Sequence, residues 1–564
     1  MRSSVNRGSA LICGVFALAS SPALAQADSA AFKAACERLA TQTPAGAGRL
    51  TETTFVPAGP VALPPPGPPG ASAPAPDHCL IRGKINERTG IDGKPYAVGY
   101  EVRLPATGIW NGKFIFQGGG GVDGVVRPAL ATIGSGAPSP NGLSVGYAAA
   151  STDAGHQEEP GPIGAYLFGL DPQARADKGY NSIPLVNAAA KALINAVYAK
   201  APSRNYFVGC SNGGRQAMVA TQRYPDLFDG VIAAAPAYRV PLAAIDGIGH
   251  VQAFMSIAPK GNDGKPDLGS ALTKDELKII ADGILDACDA ADGVKDGMVQ
   301  AVTACRFDPA VLTCKPGQDR ACLPDEKVKA LAKVQAGTKN SKGEVIYSDW
   351  PYDPGIAAPG WTAWKIGTPN SSPPNARNVT LIPGSIAYDF MSPPEKPADL
   401  FEWTLKFDFD RDPPKVMKGA GGFEAGMEFE AAASTDLDKF KARGGKIIFT
   451  HGTADPIFSA LDTIRYQEAL NTKYGADAAT FSRLFLIPGM NHCAGGPATD
   501  QFDAVAALDA WVEKGTAPEV IAAKARKTPD VPWPDRTRPL CAYPKVATYK
   551  GSGSIEDAAS FDCK

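Results

Sequence analysis

Short apolar runs, bounded by glycine, proline and polar residues, recur along the chain. Between several of them the apolar positions switch to helical spacing. The runs at 79–81, 97–104, 110–117, 147–153, 205–208, 230–236, 446–450 and 482–487 predict strands. The stretch Ala97–Leu104 partly alternates, as a half-buried strand does, while Gly230–Pro236 is continuously apolar, as a strand covered on both faces is. Apolar residues at Leu185, Ala188, Ala192, Leu193, Ala196 and Val197 predict a helix over 184–199. Further helices are predicted over 29–39, from Arg215 to about Tyr224, over 459–474 and over 502–514. Strands alternating with helices predict a mostly parallel sheet. The rhythm stops after Pro236. Residues 238–432 are rich in proline, aspartate and tryptophan and hold four cysteines, which predicts an inserted second domain. The stretch from about 40 to 57 reads as a loop, Pro60–Pro76 as an irregular connector, and the chain beyond Lys514 as a proline-rich tail.

Length agrees with that division, since 564 residues exceed one ordinary domain. A formal net charge of −2, with no basic run interleaved with aromatics, speaks against nucleic acid and anionic membranes as partners. The N-terminus changes the picture more. Arg2 and Arg7 precede a short apolar run, Ala10–Ala19, and Ala23-Leu24-Ala25 forms an A-x-A cleavage signal. Residues 1–25 are therefore expected to be a signal peptide, cut near Gln26, and the protein to be secreted or periplasmic. The run is too short to span a bilayer, and no membrane segment is expected elsewhere. Removing Cys13 leaves ten of the eleven cysteines, and an oxidising compartment favours disulfides. Sequence neighbours suggest Cys36–Cys79, Cys288–Cys305, Cys314–Cys322 and Cys541–Cys563. A zinc site is the rival, but the histidines are scattered and no C-x2-C pair occurs.

One strand–helix junction carries chemistry. Gly209-Cys210-Ser211-Asn212-Gly213-Gly214 joins the apolar run 205–208 to the following helix. A strand, a tight Gly-x-Ser-x-Gly turn and a helix make the nucleophile elbow of an α/β-hydrolase. A serine nucleophile needs a base, and the base needs an orienting carboxylate. In this fold they follow in the order Ser, Asp or Glu, His, each just past a strand end. Asp455 follows the strand 446–450 and His492 follows the strand 482–487. His78 and His250 follow no such strand, His451 sits in the acid's own loop, and His156 precedes the serine. The glycine run Gly118–Gly121 ends an upstream strand, where this fold places the other half of an oxyanion hole; a flexible loop is the plainer reading. Cys210 precedes Ser211 and Cys493 follows His492. If the triad forms, these two sulfurs lie close, and the four neighbour pairs leave only them over. A Cys210–Cys493 bridge is expected, against the alternative of two separate buried thiols. A non-catalytic binding protein on this fold is the contrasting class, and the complete Ser211, Asp455, His492 set argues against it. A peptidase is disfavoured because nothing resembles a peptide-anchoring domain.

A second motif lies in the insertion. Asp289, Asp292 and Asp296, interleaved with glycines between Cys288 and Met298, suit a hard cation, with a solvated acidic turn as the alternative.

On Gly209-Cys210-Ser211, Asp455, His492-Cys493 and the Asp289–Met298 loop, the chain resembles the tannase and feruloyl esterase family of secreted serine esterases. The resemblance covers nearly all of the mature chain. It implies an α/β-hydrolase fold with a large inserted lid domain: catalytic residues 26–237 and 433–564, lid residues 238–432. It also implies a structural calcium ion held by Asp289, Asp292 and Asp296 and by the carbonyls of Val294 and Met298. The oxyanion hole would come from the N–H groups of Gly121 and Asn212, and the substrate wall from Trp364 and Phe458. The implied substrate is a small aromatic ester of the feruloyl or galloyl type, with a terephthalate monoester as the alternative. Family members that act on that monoester grip its free carboxylate with a lid arginine and a serine. Alignment places Asn378 and Pro383 there, and asparagine cannot make a bidentate guanidinium–carboxylate contact.

Overall fold

The computed structural model describes residues 22–64, 70–317 and 321–564. Arg2, Arg7 and Ala10–Ala19 lie outside the described residues, and Ala23-Leu24-Ala25 lies in a helix, Pro22–Arg38.

The strands, in chain order, begin with β1 (Arg49–Val56), the pair β2 (Gly59–Ala62) and β3 (Ser72–Ala75), and β4 (His78–Thr89). They continue with β5 (Pro95–Pro105), β6 (Lys113–Gln117), β7 (Ala148–Thr152), β8 (Arg204–Cys210) and β9 (Gly230–Ala234). After the long insertion come β10 (Lys446–Gly452) and β11 (Ser482–Ile487). Nine of these form one sheet in the order β1-β4-β5-β7-β6-β8-β9-β10-β11. From β7 to β11 every pairing is parallel, while β1, β4, β5 and β7 pair antiparallel. The sheet is thus mostly parallel, as expected, with an antiparallel portion at the β1 end. β6, β7, β8 and β9 are short, apolar and buried almost throughout, because helices cover both faces of the parallel half. One face packs against the helices Ser182–Tyr198 and Asn212–Arg223 through Val186, Ala190, Leu193 and Met218. The other packs against the helix Ala504–Lys514 through Val505, Leu508 and Trp511.

β1 corrects the expected loop. Its sequence, Arg-Leu-Thr-Glu-Thr-Thr-Phe-Val, is mostly polar because it is a sheet edge, with alternate residues facing water. The expected irregular connector corrects likewise: Gly59–Ala62 and Ser72–Ala75 pair antiparallel on either side of residues outside the description. The proline-rich tail holds two more small ladders, Val520–Lys524 with Thr537–Cys541 and Ala547–Tyr549 with Phe561–Cys563.

Between β9 and β10 the described chain adds no strand to the sheet. Its helices Val240–Met255, Lys274–Cys288 and Asp325–Gln335 bury Val251, Phe254, Ile280, Ile284 and Leu331 in an apolar core of their own. A second cluster, with Trp364, Ile382, Phe390 and Phe458, joins this segment to the carboxyl ends of the parallel strands. The five expected disulfides are all present: Cys36–Cys79, Cys288–Cys305, Cys314–Cys322, Cys541–Cys563 and Cys210–Cys493.

Candidate active site

Ser211 sits between β8 and its helix with φ +64° and ψ −124°, a backbone that side-chain-bearing residues rarely adopt. The glycines around it are required by distance. A Cβ at Gly209 would stand 2.4 Å from the Gly213 carbonyl oxygen, and one at Gly214 would stand 2.4 Å from that of Ala234. The Ser211 N–H donates to the Ala234 carbonyl at 3.0 Å, which ties the strained turn to β9.

His492 lies in the loop after β11. Its Nδ1–H donates to Asp455 Oδ2 at 2.7 Å. The other carboxylate oxygen accepts the N–H groups of Ile457 at 2.8 Å and Phe458 at 3.1 Å. Burial pushes the Asp455 carboxyl up, but the imidazoles of His492 and His451 outweigh it and hold it well below the usual carboxylate range. Asp455 is thus an anion able to orient the His492 ring and stabilise its positive charge. His451, whose Nε2 lies 3.4 Å from Asp455 Oδ2, is held between the Thr463 hydroxyl and the Phe458 carbonyl.

The Cys210–Cys493 disulfide joins the residue before the serine to the residue after the histidine, across 283 positions, with Cα atoms 6.0 Å apart. Ser211 and His492 line one cavity of about 690 Å³. The ring of His492 is flanked edge-on by two aromatics: Trp364, with centroids 5.6 Å apart and planes at 83°, and Phe458, at 5.4 Å and 63°. Both also line the cavity. Val240, Ala244 and Ile382 extend that apolar wall, and no sequence signal singles them out.

Gly118–Gly121 and Asn212 line the same cavity. Gly121 has φ +61°, and the Asn212 N–H belongs to the first turn of its helix, where an intrahelical acceptor is lacking. The Gly119 N–H is already taken by Gln216 Oε1 at 3.0 Å.

The two positions that alignment offers for a polar grip lie away from the cavity. Asn378 is buried, with its amide on the Gly247 carbonyl side at 3.5 Å, and Pro383 is buried too. Neither lines the cavity. Arg377 does: it is exposed, and its guanidinium lies 5.2 Å from the Trp364 ring centroid. On a helical turn a one-residue step rotates the side chain by about 100°, and here that step separates the buried Asn378 from the cavity-lining Arg377.

The acidic loop is closed on itself. Asp289 accepts the N–H groups of Asp296 at 3.2 Å and Gly297 at 2.9 Å. Asp296 pairs with Arg538 and accepts the Met298 N–H at 3.1 Å. Asp292 Oδ2 is buried and lacks a hydrogen-bond partner. Burial, with the like charges of Asp296 and Asp289 adding, pushes the Asp292 carboxyl up to about 7. An orphaned carboxylate oxygen beside two more acids is a donor set that fits a hard cation such as calcium. Among the described residues no three acidic, histidine or cysteine side chains already converge as a metal cage.

A sheet of this order, with its strained serine at the end of β8, defines the class: an α/β-hydrolase. The chain belongs to the tannase and feruloyl esterase family, whose model "Tannase and feruloyl esterase" matches residues 83–564, and it is a carboxylic ester hydrolase. It is 42% identical over 524 residues to the mono(2-hydroxyethyl) terephthalate hydrolase of Piscinibacter sakaiensis, covering 87% of this chain and 86% of that one. It is 29% identical over 518 residues to a probable feruloyl esterase of Arthroderma benhamiae, covering 88% of each. Feruloyl esterase B of Aspergillus oryzae shares its fold, with a TM-score of 0.74 at 23% identity over 94% of this chain and all of that one.

Proposed function

We propose that this protein is a secreted serine esterase that cleaves aromatic carboxylic esters through an acyl-enzyme. Ser211 Oγ attacks the ester carbonyl while His492 takes its proton, and Asp455 holds the resulting imidazolium. The N–H groups of Gly121 and Asn212 receive the oxyanion. His492 returns the proton to the departing alcohol, and water, activated by the same imidazole, releases the acid. The observation that carries this reading is the 2.7 Å His492–Asp455 pair on the cavity that Ser211 lines, bridged by Cys210–Cys493. The rings of Trp364 and Phe458 favour an aromatic acyl group beside the base. Export is supported by the disulfides and by the N-terminal pattern. Among the described residues no helix is long and apolar enough to cross a membrane.

Two substrate groups are separable. A feruloyl or galloyl ester presents a neutral phenolic ring, and the apolar wall suits it. A terephthalate monoester carries a free carboxylate, and Arg377 favours this second reading: it stands at the cavity, stacks near Trp364, and forms no ion pair among the described residues. Arg377→Ala is expected to lower kcat/KM on the terephthalate monoester about 10- to 100-fold, the size of a lost charge-assisted pair, and to change methyl ferulate less than about 3-fold. Assaying both substrates with both proteins checks it; an equal loss on the two would remove carboxylate recognition from Arg377.

Calcium would be held by Asp289, Asp292 and Asp296 with the carbonyls of Val294 and Met298, and would neutralise the buried acids of the loop. The loop is fastened to the tail by Arg536 Nη1, which donates to the Asp296 carbonyl at 2.6 Å, so its melting should loosen both. Adding calcium to chelator-treated protein is expected to raise Tm by several degrees, and Asp292→Ala to abolish that rise. A calorimetric scan reads both, and a Tm indifferent to calcium in the parent chain would end the assignment.

A further inference from the structure

The two N–H groups assigned above to the oxyanion come from separate segments, the glycine loop after β6 and the first turn after Ser211. One side chain stitches these segments together. Asp123 accepts a hydrogen bond from Asn212 Nδ2, 89 positions away, with one carboxylate oxygen. With the other it accepts from Gln216 Nε2 at 2.8 Å. Gln216 Oε1 in turn accepts the Gly119 N–H at 3.0 Å, which closes a ring between loop and helix. Arg215 Nε donates to Asn212 Oδ1 at 2.7 Å and so fixes which end of that amide meets Asp123. The backbone of Asp123 completes the loop, its N–H donating to the Gly120 carbonyl at 3.1 Å. Contact is close throughout. A Cβ at Gly119 would stand 2.5 Å from Asp123 Oδ2, and a Cβ at Gly213 would stand 2.6 Å from the Gly119 carbonyl oxygen.

We infer that Asp123 is a positioning residue that sets the separation and direction of the Gly121 and Asn212 N–H donors by binding both segments at once. The inference rests on the oxyanion assignment above. Asp123 does not itself line the cavity, so it reaches the reaction only through Asn212, Gln216 and the glycine backbone. Its effect should fall on the transition state, because oxyanion donors act on charge that develops after the ester is bound. The carboxylate matters as an acceptor at both oxygens. An isosteric amide has one acceptor and one donor, so Asp123→Asn forces a donor against either Asn212 Nδ2 or Gln216 Nε2.

The test uses Asp123→Asn and, as an independent cut of the same ring, Gln216→Met, each with Tm recorded to establish folding. Steady-state kinetics on an aryl ester are paired with inhibition by an aryl boronic acid, which mimics the tetrahedral state, and by the product carboxylate. For both variants kcat should fall about 10- to 100-fold, KM should stay within about 3-fold, boronate inhibition should weaken in step with kcat, and product inhibition should not. Unchanged kcat in either folded variant, or a loss confined to KM, overturns the inference. Ser211→Ala separates the two levels. If it is inactive while Asp123→Asn keeps full kcat, the strap alone is wrong; if it retains kcat, the esterase reading beneath the strap is wrong.

Discussion

Ser211→Ala is expected to lower kcat by about 10⁴-fold or more and to leave the fold and KM close to those of the parent protein. Magnitude and selectivity both follow from the geometry. In the proposed mechanism a covalent bond to one oxygen atom divides the reaction into acylation and deacylation, and alanine removes that atom. What remains, the anionic Asp455, the oriented imidazole and the paired N–H groups, can only polarise a bound ester toward water. The fold should tolerate the change. The turn is held by the Ser211 N–H to Ala234 bond and by the glycine contacts, none of which uses the hydroxyl. Alanine does inherit the positive φ of +64°, a strain the serine already bears. A Tm within a few degrees of the parent, together with stopped turnover, is the expected pair of readings.

The second large effect concerns the bridge. In the double variant Cys210→Ser, Cys493→Ser the chain loses a link that closes 283 positions, worth up to about 5 kcal/mol on a chain-entropy account of the unfolded state. The functional loss has a separate cause. The base loop is fastened to the elbow at Cys493, whose carbonyl also accepts the Ser135 N–H at 2.9 Å. Without the sulfur link the loop keeps the His492–Asp455 bond and the Asn491 contacts to the Gly355 and Ala454 carbonyls, but loses its covalent tie to the serine turn, and a displacement near 1 Å costs on the order of 100-fold in rate. The double variant is therefore expected to show a Tm lowered by up to about 5 °C and kcat lowered by about 10- to 100-fold at a temperature where it is still folded. Circular dichroism and initial rates measured on the same sample separate the two losses. Full kcat in a folded protein without the bridge would make the tether dispensable for catalysis.

Much of the catalytic half could be read from residue patterns because its constraints are local. A serine between glycines after an apolar strand is by itself also the pattern of a structural glycine-rich turn, and it gains meaning from Asp455 and His492, which stand at strand ends that apolar runs mark plainly. Elements whose stability comes from partners far along the chain escaped. β1 is polar on alternate positions and pairs on one side only, so nothing in Arg49–Val56 distinguishes it from a loop until β4 is beside it. Pro60 and Pro74 sit directly opposite one another in a two-stranded ladder, where the missing N–H groups are tolerated because the ladder has open edges. Asp123 looks like an ordinary loop aspartate, and its role depends on Asn212 and Gln216, which only the packing of two glycine segments brings near. Arg377 shows the limit of alignment: both it and Asn378 stand on one short helical turn, and the turn's orientation decides which of them meets the cavity.

The proposed chemistry requires Ser211 Oγ to be the reacting atom, beside a base whose loop is covalently tied to the serine's own turn. Treating the active, unreduced protein with a fluorophosphonate and mapping its peptides by mass spectrometry tests this most directly. One phosphonyl group should be found on Ser211, in a peptide joined through Cys210 to the peptide carrying His492 and Cys493, and activity should vanish in proportion to labelling. A protein that keeps hydrolysing aryl esters with Ser211 unmodified, or that carries the label on another residue, would contradict the account.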